Sequence, residues 1–401
     1  MKQLFYTFSF SLLLLISCGG KQSGNQTPEA EVIIPEFPQV VPFEAGIDTV
    51  KEVLLSQIAD SVQYLPLETN DNCLIRYLND GNIFRTTKYW FLPYSEALFQ
   101  YTIDGKFIRK IGRRGGGPGE YNYIVRIDVD EEKGLVYMLN TSRKINVFNM
   151  ETGKFLYAMT VPSIETFGFA MLNDSLAASF IPNLNGKMKE RIYLSGLKGD
   201  TLNTFYRTDT FEVRSGTRWS TMSSYDRFVF HYDNQVCYKE YNNDTMFVVT
   251  ETELQPRFIF DLGKYSIPTD CRMEACDGDW NRYNEVAAPY IRYRAVETEP
   301  YLFIPYSYWA GEKSRKPYLA IYNKKEKSCY QVTDGVIKND LTGGLPVRPN
   351  ISLDKYTLAL VWEAGDILKE AEKNPSVLEN DILKKVGEDD NPVLMLIHLK
   401  H

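Results

Sequence analysis

The chain has 401 residues and a formal net charge of −7, from 52 acidic residues against 45 lysines and arginines. That negative balance gives no indication of a basic surface that could follow a phosphate backbone, so nucleic acid is not an expected partner. Aromatic residues make up 13% of the chain, which favours many short β-strands over a disordered or helical chain.

The first 17 residues predict a signal peptide of the lipoprotein type. An apolar run from Leu4 to Ile16 has the length of a signal-peptide core and is marginal for a membrane-spanning helix. The sequence LISC, ending at Cys18, is similar to a bacterial lipobox, which implies cleavage before Cys18 and lipid attachment to it. An ordinary signal peptide that contains a cysteine is the alternative. The residues that follow lack the acidic cluster of a surface-export signal, so we expect an outer-membrane anchor that faces the periplasm.

A flexible tether is predicted at residues 18–45, because Gly, Gln, Asn and Pro dominate this segment and it has little periodicity. No later run is long and apolar enough to span a bilayer. The rest of the chain is long enough for one large repeat domain or two ordinary ones.

A unit of short strands recurs along the chain. Hairpin turns at Asp104, Glu151 and Lys198 are each 47 residues apart, and further hairpins follow near residues 252 and 324. A repeat of about 40–50 residues made of short strands is typical of a propeller blade. We therefore predict an all-β fold over residues 46–401, a six-bladed β-propeller of four-stranded blades. An irregular β-sandwich is the alternative.

The sixth blade is predicted to combine both ends of the chain. Strand-like residues 60–69 would supply its outer strand, beside the C-terminal runs KYTLALVWEA and NPVLMLIHLKH. Such closure removes the exposed sheet edges that promote aggregation.

Two insertions explain the uneven spacing of the later hairpins. Residues 264–288 are acidic and contain Cys271 and Cys276, a locally plausible disulfide pair whose state the sequence leaves open. Within them DGDWNRYNE has the spacing of a calcium loop but lacks its glycine and its final glutamate. No histidine lies nearby to complete a zinc site. We therefore predict an acidic surface loop without a metal.

The second insertion, residues 364–390, is predicted to be a small helical segment near the C-terminus. Asn374 and Pro375 provide a helix N-cap followed by proline at the first helical position. An apolar stripe at i, i+4 and i+8 is expected to pack on the propeller. The residues of this stripe are Leu378, Ile382 and Val386.

Four segments resemble the six-bladed β-propeller lipoproteins of Bacteroidota-type bacteria, distant relatives of NHL-repeat propellers. They are the lipobox, the entry strand SVQYLPLET, the stretch IGRRGGGPGEY and the C-terminal EDDNPVLMLIHLK. The similarity covers roughly residues 46–401. It implies a fold and a cell-envelope location, and it implies no particular activity.

The glycine stretch IGRRGGGPGEYNYI, residues 111–124, does not fit a phosphate loop. It lacks the Gly-Lys-Ser/Thr end of a Walker loop, and Glu120 stands where a Rossmann fingerprint has its third glycine. We predict a joint between the outer strand of one blade and the inner strand of the next. Because that connection crosses a propeller face, Arg113, Arg114, Glu120 and Tyr121 are candidate ligand-binding residues near the channel mouth.

A second candidate segment is PYSYWAGEKSRKPY, residues 305–318, predicted to leave the same face. Its aromatic and basic side chains could stack on sugar rings or hold an acidic group. The alternative is that the aromatic residues cover a blade edge. The candidates in this segment are Tyr306, Tyr308, Trp309 and Arg315.

The sequence offers no catalytic signature. Three histidines are too few for a multi-histidine channel site, and no Gly-x-Ser-x-Gly elbow is present. We therefore predict a lipid-anchored, monomeric propeller that binds a ligand or envelope protein, such as a glycan or acidic ligand, without a catalytic residue, cofactor or metal. A hydrolase or lyase acting on carbohydrate or peptide in the central channel is the main alternative, and an envelope scaffold is a third. The identity of the ligand stays open.

Overall fold

The computed structural model describes residues 37–75, 78, 83–94, 97–183, 186–211, 229–240, 243–269, 271 and 280–401. These residues form six sheets of four antiparallel strands, arranged as a six-bladed β-propeller as predicted. The elements that precede the first complete blade are β1 (Gln39–Val41), α1 (Phe43–Gly46), β2 (Val50–Lys51), α2 (Leu55–Ile58) and β3 (Ala59–Pro66).

Blades 1 to 3 follow in chain order, each running from an innermost to an outermost strand. Blade 1 contains β4 (Phe84–Arg85), β5 (Tyr89–Tyr94), β6 (Ala97–Thr102) and β7 (Phe107–Ile111). A parallel ribbon of β8 (Arg113–Arg114) and β9 (Glu120–Tyr121) leads to blade 2, with β10 (Ile124–Asp130), β11 (Leu135–Asn140), β12 (Lys144–Asn149) and β13 (Phe155–Thr160). Blade 3 contains β14 (Gly168–Met171), β15 (Leu176–Phe180), β16 (Glu190–Gly196) and β17 (Thr201–Tyr206).

Blades 4 to 6 complete the ring. Blade 4 contains β18 (Val229–Tyr232), β19 (Gln235–Lys239), β20 (Thr245–Val249) and β21 (Leu254–Phe260), followed by α3 (Trp280–Ala287). Blade 5 has an innermost strand in two pieces, β22 (Ile291–Tyr293) and β23 (Val296–Glu297), then β24 (Tyr301–Tyr308), β25 (Tyr318–Asn323) and β26 (Ser328–Val332). Blade 6 contains β27 (Ile351–Ser352), β28 (Thr357–Trp362), α4 (Ala364–Lys373), β29 (Val393–Leu399) and finally β3.

The predicted hairpins join the third and fourth strands of their blades. Turns at Asp104, Glu151 and Lys198 lie in blades 1, 2 and 3, and the turns near residues 252 and 324 lie in blades 4 and 5. Apolar side chains on both faces of these sheets pack between neighbouring blades: Phe91 of blade 1 meets Ile127 of blade 2. The core is therefore distributed between blades around the ring.

The predicted closure of blade 6 is confirmed. The N-terminal strand β3 pairs antiparallel with β29, with Pro66 opposite Val393 and Ala59 opposite Leu399. The side chain of Leu65 is 6% exposed because it packs against blade 1. Closure thus joins the last blade to the first through residues near the start of the described chain.

The boundary predicted for the tether, residue 45, lies too late in the chain. Residues 37–45 already pack on the propeller: β1 pairs in parallel with β21 of blade 4, and β2 does the same with β26 of blade 5. Phe43 is fully buried and meets Tyr306 edge to face at 5.2 Å. The prolines in this segment suggested a coil, but Pro38 and Pro42 flank the short edge strand β1 and do not interrupt it.

The second insertion is helical, although its helix lies earlier than predicted. The α-helix α4 ends at Lys373, and Pro375–Glu379 forms a 3₁₀ turn in which the Asn374 side chain accepts a hydrogen bond from the Ser376 N–H. Leu378 of the predicted stripe is 40% exposed, because a 3₁₀ turn does not keep the i, i+4 spacing of an α-helix. Ile382 and Val386 of the predicted stripe do pack, partly buried, against the propeller core. The fully buried residues of this segment are Ile367, Ala371, Val377 and Leu383.

Candidate functional site

A cavity of about 950 Å³ opens on the axis of the propeller. Its wall comes from the innermost strands of all six blades and from the turns that follow them. We call the side that carries these turns the cavity face, and the opposite side, where the chain passes from blade to blade, the joint face. The volume lies within the range of about 300–1,000 Å³ that is common for small-molecule sites.

The lining of this axial cavity is negatively charged. Carboxylates from five blades outnumber cationic side chains, and apolar groups such as Phe230 and Leu353 complete the wall. The carboxylates are Asp128, Asp130, Glu131, Glu132, Asp174, Asp233, Glu297 and Asp354, against Arg85, Arg126 and Lys355.

A buried carboxylate in the wall connects three consecutive blades. Asp128, on β10 of blade 2, is 3% exposed, and its Oδ1 lies 2.9 Å from Nε2 of His231 on β18 of blade 4. Its Oδ2 accepts a hydrogen bond of 2.8 Å from the backbone N–H of Met171 on β14 of blade 3. Nearby, Arg126 donates to the carbonyl oxygen of Val229. These polar contacts hold the innermost strands of blades 2, 3 and 4 together.

The two titratable partners shift each other's pKa. Burial tends to raise the pKa of Asp128, but the charge and hydrogen bond of His231 and the N–H of Met171 lower it below its usual range. Burial tends to lower the pKa of His231, but the charge of Asp128 and their hydrogen bond raise it. The His231 side chain is 36% exposed and lines the cavity. His231 can therefore exchange a proton with solvent while Asp128 stays ionised.

Most ion pairs at the rim join turns of different blades, whereas the pair of Lys133 with Asp130 lies within one turn of blade 2. Exposed pairs of this kind contribute about 0–1 kcal/mol each, so their main effect is to fix the separation of the turns. They are Arg85 with Asp354 at 2.8 Å, Lys355 with Asp233 at 2.9 Å, and Lys133 with Asp130 at 3.1 Å and with Asp174.

One lining carboxylate, Glu297, is committed to structure. Arg257 donates to both of its oxygens, each at 2.8 Å, and Lys324 donates to Oε1 at 2.7 Å. The Glu297 side chain is fully buried. A buried carboxylate with two cationic partners is already neutralised, so Glu297 supports the wall and is not a ligand contact.

The glycine stretch is a joint, and it lies on the joint face. Its backbone N–H groups bind the chain's own carboxylate: Glu120 accepts from the Gly117 N–H at 2.8 Å and pairs with Arg113 at 2.5 Å. These contacts lower the pKa of Glu120. Tyr121 is 2% exposed and donates to the Ile111 carbonyl oxygen at 3.3 Å, so this predicted ligand contact is a core residue instead. Arg114 is exposed beside it.

The candidates of the second segment have different environments. Tyr306 is 1% exposed and stacks on Tyr318 at 5.1 Å, so it also belongs to the core and does not reach a surface ligand. Trp309 meets Tyr283 edge to face at 6.1 Å. Arg315 is exposed in a 3₁₀ turn. Among the predicted candidates, Tyr308 lines a smaller cleft on the joint face.

The eight predicted residues do not form one site. Both segments leave the joint face, but one connects blades 1 and 2 whereas the other belongs to blade 5, across the ring. Sequence reasoning missed the axial cavity. The available signal was charge within strands that are otherwise apolar, as in RIDVD at 126–130 and FHYDN at 230–234.

Metal-binding clusters and membrane-spanning helices are absent from the described part of the chain. Those residues contain no group of three His, Cys, Asp or Glu side chains arranged to hold a metal ion. No helix among them has the length and apolar character needed to cross a bilayer. Cys276 and the first residues of the calcium-like segment, 277–279, lie outside the described residues.

Comparisons with known proteins identify the family and the fold. A model of a domain of unknown function, DUF4934, matches residues 38–398. A crystal structure named as that of an exported protein from Bacteroides fragilis NCTC 9343 is similar with a TM-score of 0.69 and 20% identity, over 90% of this chain and 100% of that one. A DUF4221 member from Bacteroides vulgatus ATCC 8482 gives a TM-score of 0.47 and 9% identity, over 85% and 97%. None of the curated proteins matches the chain.

Proposed function

The chain belongs to the DUF4934 family, and we propose that it is an exported β-propeller that binds an organic cation in the axial cavity. One observation carries the proposal: carboxylates outnumber cationic side chains around a cavity to which all six blades contribute. A cleft lined mainly by one sign of charge raises the local concentration of ligands of the opposite sign. The acidic ligand expected from the sequence does not suit this cavity.

The wall chemistry defines the class of ligand. Phe230 and Leu353 offer apolar contact, and an aromatic face such as that of Phe230 attracts ammonium and guanidinium groups. Glu131 and Glu132 add charge at the mouth. An amine or guanidinium on an aliphatic body, as in a polyamine or a basic peptide side chain, satisfies both features.

His231 makes this binding depend on pH. Protonation of its imidazole adds a positive charge to the lining and opposes a cationic ligand. Because Asp128 raises the pKa of His231, the imidazole stays protonated to a higher pH than an ordinary histidine does. Affinity for a cation should therefore increase as the pH rises through the His231 pKa.

Export and lipid anchoring belong to the same proposal. The lipobox ending at Cys18 supports lipid attachment there, and the structurally similar Bacteroides fragilis protein is named as exported. An identity of 20% extends only the fold to this chain, so the support for the compartment comes mainly from the N-terminal sequence. We propose a periplasm-facing, outer-membrane lipoprotein, monomeric and distantly related to NHL-repeat propellers.

The test uses two probes of similar length, the trication spermidine and the neutral 1,8-octanediol. Calorimetric titration of residues 37–401 should detect spermidine binding and no diol binding. The double variant Asp233→Asn/Asp354→Asn removes two rim charges and should weaken spermidine about tenfold. The matched control Asp366→Asn/Asp381→Asn changes two exposed aspartates near the C-terminal helix, each also in an ion pair, and should bind as wild type does. Equal binding by both variants contradicts the proposal.

The Asp128–His231 pair keeps the hydrolase or lyase alternative testable. A carboxylate that orients an imidazole is the arrangement of a general base, and here the imidazole reaches a cavity. An enzyme of this kind would turn over carbohydrate or peptide substrates and lose turnover in His231→Gln. A binding protein would show no turnover in either form.

A further inference from the structure

A second cavity, of about 660 Å³, lies on the joint face between blades 4 and 5. Its walls come from the 3₁₀ turn Gly263–Tyr265 after β21, from the residues that follow α3, and from the end of β24 with its following turn. It shares no lining residue with the axial cavity. The two cavities therefore present separate chemistry on opposite faces.

Two lysines at this cleft each cover the face of a tyrosine. Lys264 Nζ lies 5.1 Å from the ring centroid of Tyr265, and Lys313 Nζ lies 4.9 Å from that of Tyr308. The two rings meet edge to face with centroids 6.3 Å apart, which brings both ammonium groups to one cleft. Burial raises the pKa of Tyr308 to about 12, so this lysine faces a neutral phenol that does not cancel its charge.

The remaining lining leaves this positive charge accessible. Lys264 approaches Glu44 at 3.8 Å, but both side chains are exposed, and such pairs are weak. Glu312 is the carboxylate within the lining itself. The lining also includes Ala288 and Pro289, whose small side chains offer apolar contact.

We propose that this cleft binds a carboxylate carried on a six-membered ring, with the carboxylate between Lys264 and Lys313 and the ring against Ala288 and Pro289. Ammonium groups form charge-assisted hydrogen bonds with carboxylates, and those bonds are stronger than neutral ones. The cleft volume accommodates one or two rings. A sugar acid and an aryl acid share this chemistry, so the probes must separate them.

The experiment titrates residues 37–401 with two acids and their neutral counterparts. Galacturonate is compared with galactose, and 4-hydroxybenzoate with phenol. At least one acid should bind in the millimolar range, its neutral counterpart should not, and the acid that binds identifies the ring. Added salt should weaken the binding, because the contact is between charges.

Lysine variants test whether the acid binds in this cleft. Lys264→Met/Lys313→Met keeps the aliphatic stems, removes both charges, and should weaken the acid at least tenfold. Lys369→Met, an exposed lysine on α4, is the matched control and should bind as wild type does. The proposal is overturned if neither acid binds at about ten millimolar, if a neutral probe binds as well as its acid, or if the double variant binds unchanged. Spermidine binding by the double variant should stay intact, so failure here is distinguishable from failure of the axial site.

Discussion

Asp128 and His231 lie on the innermost strands of blades 2 and 4, which are not neighbours in the ring, and their side-chain atoms are 2.9 Å apart. Blade 3 lies between them and contributes the N–H of Met171 to the same carboxylate. Strands converge at the axis of a propeller, so one side chain can bridge past the innermost strand of a blade. The contact fixes the geometry of the axial cavity. Because His231 can gain or lose a proton, the charge of the cavity lining depends on pH.

Replacing the bridging carboxylate should destabilise the fold. In Asp128→Asn the half-buried Arg126 loses a nearby negative charge and His231 loses its ionic partner, so we expect a loss of about 2–4 kcal/mol in the free energy of unfolding. Denaturant titration measures the change. The control Asp366→Asn changes an exposed side chain of α4 and should leave the stability nearly unchanged. An equally stable Asp128→Asn protein would show that the bridge is not structural.

The stabilising effect of His231 should decline at alkaline pH. Its folded-state pKa is raised, so its contribution is complete below the unfolded value of about 6.5 and is lost as the pH rises through the folded pKa. The pKa of Asp128 is lowered, so its contribution is present above about 3.9 and is lost as the pH falls through the lower folded value. The stability difference between wild type and His231→Gln should therefore be larger near pH 6 than near pH 9. A stability difference between the two proteins that does not vary with pH would contradict this prediction.

Alanine substitutions at two glycines of the stretch 111–124 should have different effects on stability. Gly119 has φ +73°, and an added Cβ would lie 2.7 Å from Cβ of Phe155, so Gly119→Ala should cost about 1–3 kcal/mol. Gly116 is outside the left-handed region, and an added Cβ would meet nothing within 4 Å. Gly116→Ala should therefore change stability by no more than about 0.5 kcal/mol. Similar losses in both variants would contradict the structural account of the joint.

Removal of the closing strand should abolish the monomeric fold. A chain that begins at residue 73 lacks β3, which leaves β29 as an unpaired edge open to aggregation. A chain that begins at residue 37 keeps β1, β2 and β3 and should melt like the full-length protein. Size-exclusion chromatography with thermal melting compares the two. A monomeric, normally melting chain from residue 73 would rule out the closure role.

The repeat could be predicted from sequence because each hairpin is local and carries its own turn residues, as at Asp104 and Glu151. The axial cavity could not. Asp128 and His231 are separated by 103 residues, and only the closed ring brings them together. The assignment of Tyr306 to a binding surface was wrong for another reason. Its strand β24 is buried on both faces, so the strand lacks the alternation of apolar and polar residues that would mark an exposed face. An aromatic residue near a loop then resembles a ligand contact although it belongs to the core.

The anchor prediction rests on Cys18. Cys18→Ala should release the protein from the membrane fraction or leave it as an unprocessed precursor, because no thiol remains for lipid attachment. Cell fractionation and the mass of the mature protein measure this. Cys73→Ala, which alters a buried thiol of the propeller, is the control and should stay in the membrane fraction. Unchanged fractionation and mass in Cys18→Ala would refute the anchor.

The most direct test of the central proposal is a crystal structure of residues 37–401 soaked with spermidine. The account predicts density in the axial cavity, with ligand nitrogens within about 3 Å of carboxylate oxygens such as those of Asp233, Asp354 or Glu132. An empty cavity at a spermidine concentration that saturates the protein in solution, or density only at other acidic surfaces, would contradict it.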